Sequence, residues 1–308
     1  MSKIVILGGD GYIGSRLKID LGREHDVTAI DTGWFSTNKS GFIEQDFKNV
    51  SGEFLQSFDC VILLAGHSSV NMCQGEIKDA FGNNVQNFLS LIDKLSPRQK
   101  FIYASSSSVY GNSGSARVDE SYSDFIPHNH YDITKHIIDL YMPKFDLEYY
   151  GLRFGTVNGY SPKMRSDVMI NSMVYNAKTN GHIKLYIKDV MRPILGISDL
   201  SLAIQKIISC KEDKRGIYNL ASFNMTAEEI AIRVSKVTGF GIQEINTEST
   251  PSTNSKLQTK SYNFSIDCSK FEKEFGFSFS ETVESICLGI MQNFDSIIFS
   301  NRSDVKEY

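Results

Sequence analysis

The N-terminal stretch constrains this chain more than any other. "KIVIL", residues 3–7, is a short apolar run, and it passes without a spacer into "GGDGYIG". Gly8, Gly11 and Gly14 fall at three-residue spacing where a buried strand must turn into a helix, with Tyr12 and Ile13 between them. Backbone without Cβ lets a pyrophosphate come close, and the first turn of a helix offers N–H groups and the positive end of its dipole. Seventeen residues after Gly14, a second apolar run, "DVTAID", ends in Asp31. A carboxylate there accepts hydrogen bonds from ribose hydroxyls and repels the extra phosphate of NADP. The order strand, glycine turn, helix, strand, acid predicts a dinucleotide site that takes NAD, built on Gly8, Gly11, Tyr12, Ile13, Gly14 and Asp31.

The rest of the first half repeats the same alternation. "DCVILLAG" (59–66), "KFIYASS" (100–106) and "EYYGLRFG" (148–155) read as buried strands, and 12–22, 77–95 and 131–144 as helices. Alternating strands and helices imply crossovers and a parallel sheet, and the unbroken apolar strands agree, because such a sheet is covered on both faces. The fold class is therefore α/β, a doubly wound parallel sheet, with a smaller second domain. After residue 157 the pattern loosens. "VMINSMVYNAKTNG" is helical, "IKLYIKDVMRPILGISDLSLAIQKIIS" is strand then helix, and "GIYNLAS" is a further strand. "MTAEEIAIRVSKVTG" is a helix capped by Thr226, with Glu229 completing a capping box. The polar stretch 246–261 reads as a mobile loop.

Composition narrows the function classes. The 308 residues carry a net charge of −4 and no long basic run, so nucleic acid and anionic membranes are not the expected partners. No apolar stretch approaches a membrane span, and the five cysteines (60, 73, 210, 268, 287) are scattered without a metal-ligand pattern. The expectation is a cytoplasmic protein with reduced thiols, no metal, and small-molecule partners. His128 and His130 stand two apart without a third ligand.

Two further features carry chemistry. In "YDITK", Tyr131 and Lys135 are four residues apart and share one helix face, where an ammonium favours the phenolate. In "YASSSSVYG" a strand ends in four hydroxyls, residues 105–108, where apolar packing would ordinarily finish. Together they predict a serine that hydrogen-bonds a substrate oxygen while the tyrosine moves its proton. His67 follows the strand "LLAG" and "PKMRSD" (162–167) holds two cations, both candidates to meet a substrate.

"GGDGYIG", Asp31, "LLAGHSSV", "ASSSSVYG", Tyr131 with Lys135, and "LRFGTVNG" occur in the order of the extended short-chain dehydrogenase/reductase family, and the chain resembles its nucleotide-sugar epimerases and dehydratases. "RPILGISDLSLAI" and "YNFSIDCSKFEKEFGF" extend the resemblance toward the C terminus. The resemblance implies Ser106 as the catalytic serine, with Ser107 beside it at the substrate, Tyr131 as acid–base and Lys135 as its activator. It places Asp46 and Phe47 near the adenine, Leu64, Ala65 and Gly66 under NAD, and Asn84 at the active-site backbone. Asn171 and Arg192 would bind the diphosphate of a nucleotide sugar. A cofactor-binding domain over 1–157 with return segments near 192–222, a substrate domain over 158–191 and 223–308, and a homodimer paired through 77–95 and 131–144 are implied as well.

Within that resemblance the particular reaction follows from what is present. Dehydratases carry Asp and Glu, and a decarboxylating subgroup carries Glu, where this chain has Ser107 and Ser108. C4 epimerisation of a nucleotide sugar, through a transient 4-keto sugar with recycled NAD, is the expected function. A 4-ketoreductase and a silent NAD-binding protein are the alternatives. The sequence departs from the family at Asn158, in place of an aromatic near the substrate, at Pro193 after the diphosphate arginine, and at Lys256 and Lys260, where relatives place a second arginine.

Overall fold

Successive residues of a strand point to opposite faces, so an unbroken apolar run must supply two cores. Ile4, Ile6, Ile62, Ile102 and Leu152 enter one, and Val5, Leu7, Val61, Leu63 and Phe101 enter the other, where Phe88, Leu91 and Ile138 meet them. The computed structural model describes residues 1–34, 40–114, 116–124, 127–245 and 263–300. Its main sheet contains β1 (Lys3–Leu7), β2 (Asp26–Asp31), β3 (Ile43–Glu44), β4 (Cys60–Leu63), β5 (Lys100–Ser106), β6 (Glu148–Phe154) and β7 (Gly216–Leu220). The order is β7-β6-β5-β4-β1-β2-β3, and every neighbouring pair is parallel. This is the doubly wound α/β architecture expected. Strand order reverses between β1 and β4, and ligands of such sheets bind in the crevice at the carboxyl ends of the strands flanking that point.

Three local departures from the sequence reading matter for the site. β4 stops at Leu63 because the N–H groups of Leu64 and Ala65 both turn to the Leu7 carbonyl, at 2.8 and 2.9 Å. The expected helix 77–95 is preceded by a separate helix, Val70–Gly75, and its path is interrupted by a π-helical turn, Gly82–Gln86. Such wide turns occur where a side chain needs the room, and this one carries Asn84. Of the return segments, 216–220 joins the main sheet as β7, whereas Met191–Gly196 pairs with Thr156–Asn158 and Phe223–Thr226 in a separate three-stranded sheet.

Helices Met169–Asn180, Ala227–Thr238 and Val283–Asn293 pack on one another beside that small sheet. The second of these starts with the expected capping box: Thr226 Oγ1 accepts from the Glu229 N–H at 3.2 Å, and the Glu229 carboxylate accepts from the Thr226 N–H at 2.9 Å. The loop expected over 246–261, with Lys256 and Lys260, lies outside the described residues. Among the described residues no helix is long and apolar enough to cross a membrane, and no group of three His, Cys, Asp or Glu side chains is placed to hold a metal.

Candidate active site

The carboxyl ends of β1, β4 and β5 open onto a cleft of about 360 Å³. Gly8, Gly11, Tyr12, Ile13 and Gly14 line it, as do Leu64, Ala65 and Gly66, and so do Ser106, Ser107, Tyr131, Lys135 and Arg192. A second cleft shares Gly8, Gly11, Leu64, Ala65 and Gly66 with the first and is lined by Asp31, Asp46 and Phe47. Residues scattered over more than 180 positions of sequence thus meet at two connected hollows, one on either side of the glycine turn.

The turn is shaped as a cradle. Gly8 has φ +88°, and a Cβ there would lie 2.5 Å from the Ala65 nitrogen. A Cβ on Gly14 would lie 2.3 Å from the Gly8 carbonyl oxygen. Helix Tyr12–Leu21 therefore begins hard against β1, and no side chain caps its N-terminus. The Asp31 carboxylate is held in place by the N–H groups of Asp10, at 3.0 Å, and Gly33, at 2.9 Å. Asp46 caps the next short helix, accepting from the Lys48 N–H at 3.1 Å, and pairs with the Lys48 ammonium at 2.9 Å. The cradle fits NAD: an uncapped helix end and bare glycine backbone for the pyrophosphate, and a fixed carboxylate at the ribose end.

The reacting groups come from β5 and from helix His130–Tyr141, whose N-cap Asn129 accepts from the Asp132 N–H at 2.9 Å. As the spacing requires, Tyr131 and Lys135 share a face, with the Lys135 Nζ 5.8 Å from the centre of the Tyr131 ring. Lys135 is buried, donates to the Ala104 carbonyl at 2.7 Å, and is lowered by burial to about 8. Tyr131 is pushed up to about 12, chiefly by burial, with the Ser106 hydrogen bond acting in the opposite direction. Burial thus outweighs the pull toward the phenolate that the Tyr/Lys pair alone suggests. Behind Lys135, Asp139 is one helical turn on and bonds Arg153 Nε at 2.8 Å, Ser105 at 2.9 Å and Tyr103 at 3.0 Å.

Three asparagines are placed differently from one another. Asn84 is buried beside the cleft, accepting from the His67 N–H at 2.8 Å and donating to the His67 carbonyl at 3.0 Å and Thr134 at 3.1 Å. Gly66, at φ +142°, must be glycine because a Cβ would lie 2.6 Å from Asn84 Oδ1. Asn171 does not line the cleft. It is fully buried, accepts from the Gly159 N–H at 2.9 Å and donates to Tyr12 Oη at 3.2 Å and the Arg165 carbonyl at 3.0 Å. Its amide locks the Gly159 loop to the glycine-turn helix, so direct contact with a diphosphate is not its place here. Asn158, expected at the substrate, is also fully buried. Its Oδ1 accepts from the N–H groups of Ile170 and Asn171, at 2.9 and 3.3 Å, capping helix Met169–Asn180 from outside.

Arg192 lines the cleft and is lowered to about 10 by burial. His67 and Arg165 line it too. Arg165 is held by Asp167 at 2.6 and 2.8 Å and acts on Tyr131 through its charge. The His67 ring meets Glu76 at 3.1 Å. Two lining or adjacent groups went unread in the sequence. Phe264 reaches the cleft from the C-terminal part with no local signal. Asp132 stood in plain view after Tyr131, and its carboxylate accepts from Ser108 Oγ at 2.5 Å.

Comparison with known proteins agrees with this geometry. A UDP-glucose 4-epimerase of Klebsiella pneumoniae is 30% identical over 129 residues, 36% of this chain and 93% of that protein. A structure of MoeE5 in complex with UDP-glucuronic acid and NAD superimposes with a TM-score of 0.80 at 20% identity, covering 96% of this chain and 100% of that one. A UDP-glucuronic acid 4-epimerase from Bacillus cereus, in complex with UDP-glucuronic acid and NAD, gives 0.78 at 22% identity, covering 95% and 99%. Residues 4–221 match the NAD dependent epimerase/dehydratase family, and the chain belongs to that family.

Proposed function

We propose that this protein is an NAD-dependent nucleotide-sugar epimerase that inverts C4 through a transient 4-keto sugar. The observation that carries the reading is the meeting of Ser106, Tyr131 and Lys135 at one cleft with the glycine turn, with serines rather than carboxylates at 107 and 108. UDP-sugars are the first substrates to test, since the relatives' names specify them.

NAD, when bound, supplies the hydride acceptor and donor. Tyr131 takes the proton of the sugar hydroxyl and later returns it. Lys135 stabilises the phenolate, and Ser106 hydrogen-bonds the sugar oxygen, with Ser107 beside it. Arg192 holds the diphosphate, while Asn171 positions the Gly159 loop. Gly8, Gly11, Tyr12, Ile13 and Gly14 bind the pyrophosphate, Asp31 the ribose, Asp46 and Phe47 the adenine end, and Leu64, Ala65 and Gly66 the face of the cofactor, with Asn84 fixing that segment. Residues 1–157 with the later return segments form the cofactor domain, and the remainder forms mainly the substrate domain. A cytoplasmic homodimer belongs to the same reading. Ile77, Phe81, Ile133, Leu140 and Tyr141 are exposed on the helices through which relatives are expected to pair.

The test is incubation of the purified protein with UDP-, GDP-, CDP- and dTDP-sugars without added cofactor. Isomerisation at constant mass supports the reading. A requirement for added NADPH, with a product two mass units heavier than a keto-sugar substrate, replaces it with a ketoreductase.

A further inference from the structure

Ser108 stands where dehydratases and decarboxylases of the family are expected to carry a carboxylate, yet a carboxylate does reach this spot from another element. Ser108 Oγ donates to Asp132 Oδ1 at 2.5 Å, and Ser108 Oγ and Ser106 Oγ are 2.7 Å apart. Asp132 is fully buried, and its second oxygen accepts from Asn129 Nδ2 at 2.7 Å. Ser106 also accepts from the Ser108 N–H at 3.2 Å and hydrogen-bonds the Tyr131 phenol.

A serine hydroxyl has one proton. That of Ser108 is committed to Asp132, so in the pair of serines Ser106 must be the donor. Its proton then points at Ser108, and toward Tyr131 it has only lone pairs to offer. A phenol O–H satisfies such an acceptor, whereas a phenolate facing it meets a second acceptor and loses a donor. We propose that Asp132 is a positioning residue: acting through Ser108, it turns the Ser106 proton away from Tyr131 and holds Tyr131 in its protonated, acid form in the resting site. Forming the phenolate then requires the serine hydroxyls to reverse. The inference rests on Tyr131 being the acid–base group of the proposed function.

The charged and titratable groups facing Tyr131 are Asp132 and Lys135 on its own helix, Cys73 from helix Val70–Gly75, and Arg165 from the strand Lys163–Arg165. Asp132 acts on Tyr131 by its charge as well as through the serines, and two variants separate these routes. Asp132→Asn removes the charge and keeps an amide for Asn129. Ser108→Ala keeps the charge and breaks the chain, leaving Ser106 free to donate to the phenolate.

The experiment is a spectrophotometric titration of phenolate absorbance in cofactor-free protein, with Tyr131→Phe subtracted to isolate Tyr131, and a thermal melt to verify folding. Ionisation is expected about 1 pH unit lower in Ser108→Ala, the size of effect one gained donor to the charged form supplies, and lower again or equal in Asp132→Asn. A shift in Asp132→Asn with none in folded Ser108→Ala would leave only the charge and overturn the proposal, as would no shift in either. The phenol is read directly, so the titration answers even in a protein that proves to have no epimerase activity.

Discussion

Lys135→Met separates what the lysine does for the reaction from what it costs the fold. An ordinary lysine titrates at 10.5, and burial lowers this one to about 8. At about 1.4 kcal/mol per pH unit, holding the ammonium in the folded state costs roughly 3 kcal/mol. The sign follows from proton counts. Between about 8 and 10.5 the unfolded chain keeps a proton that the folded protein has released, so stability rises with pH there and the whole cost is present below 8. Methionine preserves an unbranched apolar stem but leaves the Ala104 carbonyl without its 2.7 Å donor, a loss of about 1–2 kcal/mol. At pH 7 the cofactor-free variant is therefore expected to be as stable as the wild type or about 1–2 kcal/mol more stable, although inactive. From pH 7 to 9.5 the wild type should gain about 2 kcal/mol relative to the variant. Urea denaturation of both proteins at the two pH values measures this. A stability difference that does not change with pH, or a variant more than about 2 kcal/mol weaker at pH 7, would refute the reasoning.

Three further outcomes are expected. Tyr131→Phe lowers kcat by about 10²–10⁴-fold, the usual worth of a general acid–base group, while NAD remains on the protein by mass spectrometry after denaturation. Asp31→Asn keeps acceptors for the Asp10 and Gly33 N–H groups but removes the charge. NADP should therefore bind at least 10-fold more tightly than it does to the wild type, relative to NAD, as measured by calorimetry. Asn158→Leu strips the outside cap from helix Met169–Asn180 and lowers stability by about 1–2 kcal/mol, read as a lower Tm with KM for the sugar little changed.

The parts of this protein that were legible in its sequence are those where one physical requirement acts locally. Apolar runs with glycine at their ends specify buried parallel strands, and the N-terminal turn was readable because only bare backbone fits between β1 and Ala65. The capping box at Thr226 is likewise a contract between residues three apart. Pairwise long-range bonds were not legible. Asn158 and Asn171 looked like substrate contacts because amides suit diphosphates, but their partners, Ile170 and Gly159 among them, satisfy them internally. The π turn at Gly82–Gln86 exists for Asn84 to meet His67, a contact 17 positions apart that no periodicity announces. The helix spacing gave the Tyr131/Lys135 pair but not its charge state, because burial depends on what covers the site from Val70–Gly75 and from the strand Lys163–Arg165.

The central claim is that hydride leaves C4 of a sugar and returns to C4 of the same molecule. A UDP-sugar carrying deuterium at C4, incubated with the purified protein without added cofactor, tests it most directly. The account predicts a C4 epimer that retains the label at C4 and has the same mass as the substrate. Loss of the label to water, or a product formed only when reduced cofactor is supplied, would contradict it.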